Sequence, residues 1–230
     1  RAQTHTTLRP YMIEEAWECV AAIDQEDLPH LAEELGDLLF QIIFHSSIAQ
    51  DYDEFSLHDV INSICRKMIH RHPHVFEKPS EGASDALPDW EKLKQAETGS
   101  QTLAASLNDV SVSLPALTYA AKILKKLKRA PAFQKETADT VAEMREELNR
   151  LSTASGPASQ KAVERLLWLC AELCQAERVD GELSLHLTAD SLKRRINAIE
   201  KQLSANGTHI ESLTFDELGV YWKGVEGEIE

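Results

Sequence analysis

The sequence predicts an all-α protein made of two tandem helical units, each built around an antiparallel pair of helices. Apolar residues recur at helical spacing along almost the whole chain, and convincing strand alternation is absent. Residues 98–113 are small and polar, as is typical of a linker, and the two flanking halves show related helical patterns. We therefore expect one unit over residues 1–104 and a second over residues 105–230.

The first unit is expected to open with a helical hairpin. Its first helix is predicted over residues 7–25, where apolar side chains form a stripe. Asp27 has the character of an N-cap, and Leu28-Pro29 places a proline in the first turn of a second helix that runs to about residue 50. Because the connection is so short, the two helices should pack side by side in opposite directions.

The same spacing predicts helices along the rest of the chain. Ser56, with Asp59 three residues later, resembles a capping box that begins a third helix, and His72-Pro73 ends that helix. Beyond it we expect a loop at 76–87, a short helix at 88–97, the linker, and helices near 115–129, 138–152, 159–178, 188–204 and 214–226.

Composition excludes several classes of partner. The 24 Lys and Arg face 38 Asp and Glu, for a net charge of −14, so the chain repels nucleic acid and we expect none as a partner. No apolar run approaches the roughly 18 residues of a membrane span, so no membrane partner is expected. The four cysteines lack CxxC spacing and lie in apolar helical contexts, which predicts reduced thiols in the core and a cytoplasmic protein.

Four carboxylates stand out in the predicted hairpin. Glu15 and Glu18 are three residues apart, as are Glu34 and Asp37, so each pair lies on one helix face. If the two faces meet, four acids converge, and a divalent cation with oxygen ligands such as Mg²⁺ would relieve their repulsion. The alternative is a solvated acidic face. The apolar neighbours of these acids favour the cation, as does Gly36, which suits close approach of a helix or ligand.

The pattern EExxE, a spacer and ExxD resembles the signature of the all-α nucleoside triphosphate pyrophosphohydrolases, and the wider match is similar to the MazG family. The resemblance is close over residues 1–97 and looser beyond. Its supporting stretches are Gln3-Thr4-His5, Leu8-Arg9-Pro10-Tyr11, the run 33–39, Arg71-His72-Pro73-His74-Val75-Phe76, and Trp90-Glu91 with Lys94.

That resemblance implies hydrolysis of a nucleoside triphosphate to the monophosphate and pyrophosphate by a water that attacks the α-phosphorus. It also implies a homodimer, and Mg²⁺ as the cofactor, with Mn²⁺ as a possible substitute. Glu14 and Glu33 are the candidate catalytic residues, which would orient the ligands or the attacking water. The implied metal ligands are Glu15, Glu18, Glu34 and Asp37.

Basic and aromatic residues at family-matching positions are the candidate substrate-binding groups. Lys67 and Arg71 are one helical turn apart, and Trp90 and Lys94 repeat that spacing. The cations would bind the triphosphate, and Trp90 would either pack on the base or close the core. Surface salt bridges are the alternative for the lysines.

Three histidines in this part of the chain suggest a second metal. His70, His72 and His74 have alternate spacing, but the expected helix end at His72-Pro73 separates them, so we favour capping or loop roles over zinc.

The second half aligns with the first but lacks most of the acidic ligands. Glu147 matches Glu15, whereas Arg150, Ala162 and Arg165 stand where Glu18, Glu34 and Asp37 would be. Two arginines at such a site would repel a cation. The second half is therefore expected to be a non-catalytic scaffold or dimer surface.

Two alternatives for the function remain open at this stage. One is a dUTP- or dCTP-selective pyrophosphatase with the same ligand arrangement. The other is a non-catalytic module that binds a nucleotide or a partner protein.

Overall fold

The computed structural model describes residues 3–76, 102–205 and 207–225, and every regular element in those ranges is helical. The chain divides into two compact units, Arg1–Gly99 and Ser100–Glu230. None of the described helices is long and apolar enough to cross a membrane. The predicted all-α class is confirmed, and the two compact units agree with a tandem arrangement.

The first unit is a helical hairpin followed by a third helix. The first two helices pack closely against each other, and α3 packs on α2. Thr4 and Thr7 form a capping box at the start of α1, and Asp27 Oδ1 accepts a hydrogen bond of 3.0 Å from the His30 backbone N–H at the start of α2. The helices of this unit are α1 (His5–Asp24), α2 (Leu28–Asp51), α3 (Leu57–Arg71) and the single turn α4 (Pro73–Phe76).

The second unit contains a hairpin in the corresponding place. The helices over Thr137–Leu151 and Pro157–Glu177 pack against each other as α1 and α2 do, and the helix over Gly181–Ala205 follows as α3 does. Its core is centred on Ile199, Leu203 and Val225, which have no exposed surface. The elements of this unit are α5 (Leu103–Asn108), α6 (Ala116–Leu127), a 3₁₀ turn (Pro131–Phe133), α7 (Thr137–Leu151), α8 (Pro157–Glu177), α9 (Gly181–Ala205), a 3₁₀ turn (Ile210–Ser212) and α10 (Phe215–Val225).

Two predictions about elements were wrong. The expected linker contains α5, because the Thr102 side chain caps its first turn and the buried Ser106 Oγ accepts a 2.9 Å hydrogen bond from Lys126 Nζ. Helix α9 begins at Gly181 rather than at 188, because Asp180 Oδ1 accepts hydrogen bonds from the backbone N–H groups of the first turn. The predicted loop at 76–87 begins one residue too early, because Phe76 is the last residue of α4; the rest of that loop and the short helix at 88–97 lie outside the described residues.

Burial also differs from the predicted stripes. In α1, Leu8 and Cys19 are buried, but Tyr11 and Ile23 are about half exposed. The prediction that all four cysteines lie in the core was wrong: they are free thiols, but Cys65 and Cys170 are exposed. Cys174 is half-buried. The apolar pattern therefore overestimated the core of the isolated chain.

Candidate functional site

The hairpin of the first unit brings three of the four predicted acidic ligands together. Glu15 and Glu18 are on α1, and Glu34 is on α2. One carboxylate oxygen from each lies within 4.8 Å of the others, and this is the group of described residues whose geometry could hold a metal ion. The site forms because the i, i+3 pair on α1 faces α2 across the hairpin.

The fourth predicted ligand lies at the margin of this cluster. Asp37 is an exposed residue of α2 and is outside the group of three. Its negative charge nevertheless raises the pKa of Glu15, so it acts on the same volume. Its role as a ligand stays a prediction.

The carboxyl of Glu15 has a raised pKa. Partial burial raises its pKa above the ordinary value, and the negative charges of Asp37 and Glu18 raise it further. A hydrogen bond from Gln41 Nε2 to Glu15 Oε1, at 3.4 Å, opposes these effects. A bound cation would relieve the repulsion between these negative charges.

Two residues not anticipated from the sequence border the carboxylates. His30 Nε2 lies 2.7 Å from Glu34 Oε1, one helical turn away on α2. The thiol of Cys19 is buried beside the cluster, and burial together with the charge of Glu34 and Glu15 raises its pKa. Both could have been found from spacing, since His30 precedes Glu34 by four residues and Cys19 follows Glu15 by four.

Polar groups continue along the hairpin interface beyond the acids. Gln41 is 6% exposed, and its Oε1 is buried without a hydrogen-bond partner. One turn further along α2, the rings of His45 and His5 stack, with their Nδ1 atoms 2.7 Å apart, and His45 Nε2 is also buried without a hydrogen bond. The interface is therefore polar over several turns.

The predicted substrate-binding residues are only partly described. Lys67 is exposed and lines a groove of about 420 Å³ together with Phe55 and Asp59. Arg71 ends α3 and is 9% exposed. Trp90 and Lys94 lie outside the described residues, so their place relative to the carboxylates stays a prediction.

The candidate catalytic acids and the histidine alternative have different outcomes. Glu14 and Glu33 are exposed, and their roles stay predictions. His72 is the C-cap residue of α3, and its Nδ1 lies 2.9 Å from the Met68 carbonyl oxygen, which agrees with the predicted capping role.

In the second unit, ion pairs involve the residues that the sequence aligns with the acidic cluster. Arg150 pairs with Glu147 at 2.8 Å, and Arg165 pairs with Glu143 at 2.5 Å. Lys135 bridges Glu143, at 2.8 Å, to a further carboxylate on α8. Glu143, Glu147 and Glu172 are thus each paired with a basic side chain of the same unit.

The donor set of the first unit fits a hard divalent cation. Ligand oxygens around Mg²⁺ lie at about 2.1 Å from the ion, so adjacent ligands are about 3.0 Å apart and opposite ones about 4.2 Å apart. The three carboxylate oxygens lie within 4.8 Å of one another, so side-chain rotations that draw them closer would bring them to that spacing. All three donors are oxygens, which suits Mg²⁺ or Mn²⁺ better than zinc.

Comparison with known proteins agrees with this geometry. Residues 3–76 match the model of the MazG nucleotide pyrophosphohydrolase domain. The chain is 31% identical over 228 residues to the nucleoside triphosphate pyrophosphohydrolase/pyrophosphatase MazG of Thermotoga maritima, covering 99% of this chain and 88% of that protein. It is 30% identical over 233 residues to a nucleoside triphosphate pyrophosphohydrolase of Escherichia coli K12, with coverages of 98% and 89%. It is also 32% identical to the uncharacterized protein YabN of Bacillus subtilis, covering 96% of this chain but only 46% of YabN.

Proposed function

The chain belongs to the MazG family of nucleoside triphosphate pyrophosphohydrolases, and we propose that its first unit hydrolyses a nucleoside triphosphate to the monophosphate and pyrophosphate. The observation that carries the proposal is the convergence of Glu15, Glu18 and Glu34 within 4.8 Å on one hairpin. Helix geometry holds Glu15 and Glu18 close, and the packing of α2 on α1 brings Glu34 to them, so the hairpin itself assembles three ligand oxygens in one place.

We propose that Glu15, Glu18, Glu34 and Asp37 hold Mg²⁺, with Mn²⁺ as a substitute. When bound, the cation supplies neutralisation of phosphate charge and a lower pKa for water. The protein side chains position the triphosphate and support the ligands. The cluster fixes where the triphosphate must lie, and His30, now 2.7 Å from Glu34, can retain that contact as a support for the ligand.

The other site residues take roles in orientation and binding. Glu14 and Glu33 are proposed to orient the attacking water or the ligands. Charge-assisted hydrogen bonds would bind the triphosphate, and a planar guanidinium such as that of Arg71 suits two phosphate oxygens at once. The complete proposed substrate set is Lys67, Arg71, Trp90 and Lys94.

We propose that catalysis is confined to residues 1–104, and that residues 105–230 form a degenerate, non-catalytic unit. The ion pairs Arg150–Glu147 and Arg165–Glu143 support this, because the arginines place positive charge where the first unit has metal ligands. A divalent cation gains nothing from carboxylates that are already neutralised.

We also propose a cytoplasmic homodimer that does not bind nucleic acid. The net charge of −14 argues against a polyanionic partner. A stripe on α2 supports self-association: Leu35, Leu39 and Ile43 are 51%, 53% and 41% exposed. Gly36 lies beside this stripe, and a Cβ there would have no neighbour within 4 Å, which leaves room for a second helix. The molar mass in solution checks the dimer.

The activity is tested by measuring pyrophosphate release from a panel of canonical and modified nucleoside triphosphates, with Mg²⁺ and with EDTA. We expect turnover with Mg²⁺ and none with EDTA. Glu18→Ala should abolish it, and Glu147→Ala is the matched control, since Glu147 is the corresponding acid of the second unit and already pairs with Arg150.

Each outcome separates the alternatives. Activity that survives Glu18→Ala and is lost with Glu147→Ala would move catalysis to the second unit. Turnover restricted to dUTP or dCTP would identify a base-selective pyrophosphatase. Absence of turnover on every triphosphate, with nucleotide binding retained, would leave a binding module.

A further inference from the structure

Gln41 is a polar residue buried in an apolar part of α2, and packing alone does not explain it. Its neighbours in sequence are Phe40 and Ile42, and only 6% of its surface is exposed. A Leu or Met would fill the same space without bringing an amide out of water. An unsatisfied buried acceptor costs roughly 1–3 kcal/mol, and Gln41 Oε1 is such an acceptor. Buried polar groups that persist at this cost are commonly found at functional sites.

The other end of the same amide contacts the proposed metal site. Gln41 Nε2 donates to Glu15 Oε1 at 3.4 Å across the α1–α2 interface, and this is the contact that opposes the rise in the pKa of Glu15. The distance is longer than the usual 2.7–3.2 Å of N–H···O bonds, so a shift of a few tenths of an ångström completes the bond. An amide N–H₂ keeps its donors at any ordinary pH, so it contacts the ionised carboxylate without adding charge.

We infer that Gln41 is a positioning residue for metal binding, which holds the Glu15 carboxylate in the orientation where it converges with Glu18 and Glu34. The inference rests on the proposed cation site. Outer contacts of this kind orient the ligands of metal sites, and their loss commonly weakens metal affinity by about 10–100-fold.

The test uses Mg²⁺ alone as the probe, titrated calorimetrically into the metal-free full chain, with Mn²⁺ as a second probe. Gln41→Met keeps the side-chain length and removes both polar atoms. We expect the dissociation constant for Mg²⁺ to rise about 10–100-fold. The urea midpoint of the metal-free protein should stay the same or rise, because the variant removes a buried unsatisfied oxygen.

Ser46→Ala is the matched control. Ser46 is also a buried polar residue of α2, 2% exposed, but its Oγ donates to the Ile42 carbonyl of its own helix at 2.8 Å. The affinity of this variant for Mg²⁺ should match that of the wild type. Wild-type Mg²⁺ affinity in Gln41→Met would overturn the inference, and so would a fall in metal-free stability without a change in affinity, which is the result for a packing residue.

Gln41→Glu separates positioning from direct coordination. The variant keeps the shape but replaces the N–H₂ donor by an oxygen. A positioning residue predicts weaker Mg²⁺ binding, because the introduced carboxylate, when ionised, cannot donate to Glu15. Tighter binding would show that the side chain at this position coordinates the ion, and would overturn the inference.

Glu18→Ala distinguishes failure of this inference from failure of the proposed site. If Glu18→Ala binds Mg²⁺ as tightly as the wild type, the cation site itself is refuted. If Glu18→Ala loses binding and Gln41→Met does not, the site stands and only the role of Gln41 is refuted.

Discussion

Leu203→Ala tests whether the two units are independent, and its magnitude follows from burial. Leu203 has no exposed surface and packs with Ile199 and Val225 in the core of the second unit. Removing three buried carbons costs about 2.4 kcal/mol in transfer free energy at about 0.8 kcal/mol each. Incomplete collapse of the cavity brings the expected loss to about 3–4 kcal/mol. At roughly 4 °C per kcal/mol for a unit of this size, its melting temperature should fall by about 12–16 °C.

The assay is differential scanning calorimetry with and without Mg²⁺. We expect Leu203→Ala to lower the transition of the second unit, whereas the Mg²⁺-dependent transition of the first unit stays unchanged. Leu185→Ala, on the same helix but 61% exposed, is the control and should shift neither transition by more than about 2 °C. A single transition that Leu203→Ala and Mg²⁺ both move would refute independent units, and a loss below about 1 kcal/mol would refute the burial argument.

Two further predictions concern pH and charge. Burial and the neighbouring His5 lower the pKa of His45, so on acidification the unfolded chain is protonated at this residue before the folded chain. The stability of the first unit should therefore fall as the pH drops below about 6.5. In urea midpoints measured at pH 5.5 and 8, His45→Phe should flatten this pH dependence. Hydrogen bonds from Lys135 and Arg165 lower the pKa of Glu143. The stability that this carboxylate gives the fold is therefore fully present above about pH 4.5, and it is lost as the pH falls through the lowered pKa of the folded state. Because the Glu143 side chain is 40% exposed and solvent screens its ion pairs, Lys135→Met should destabilise the second unit by only about 1 kcal/mol at pH 7 and by less at pH 3. An equal loss at both pH values would contradict the ion-pair explanation.

The helices and the acidic cluster were predictable because both depend on local spacing. The hairpin followed from apolar periodicity and from the cap at Asp27, and the facing of Glu15 and Glu18 followed from their separation of three. Contacts between distant residues were not predictable in this way. Helix α5 depends in part on the bond between Ser106 and Lys126, twenty residues apart, which no local pattern indicates.

The start of α9 was missed because a local pattern was misleading. Residues 183–188 alternate apolar and polar side chains, so helical periodicity becomes visible only further along the chain. The helix nevertheless begins at Gly181, because Asp180 caps its first backbone N–H groups and Glu182 Oε2 accepts from the backbone N–H of Leu117, at 3.1 Å, on α6. Hydrogen bonds at the first turn outweighed the local pattern. Gln41, by contrast, was detectable as the one polar residue inside the run LLFQIIF, seven residues after Glu34.

The contrast between the two hairpins is itself an argument about function. In the second unit, Arg150 and Arg165 neutralise the neighbouring acids, and such charge pairing stabilises a fold without a ligand. In the first unit, Glu34 contacts His30 and Glu15 contacts the amide of Gln41, while burial and the charges of Asp37 and Glu18 raise the pKa of Glu15. Selection for stability alone would favour the arrangement of the second unit. The first unit retains an electrostatic cost that a cation would remove, as expected where folding and function place opposing demands on the same residues.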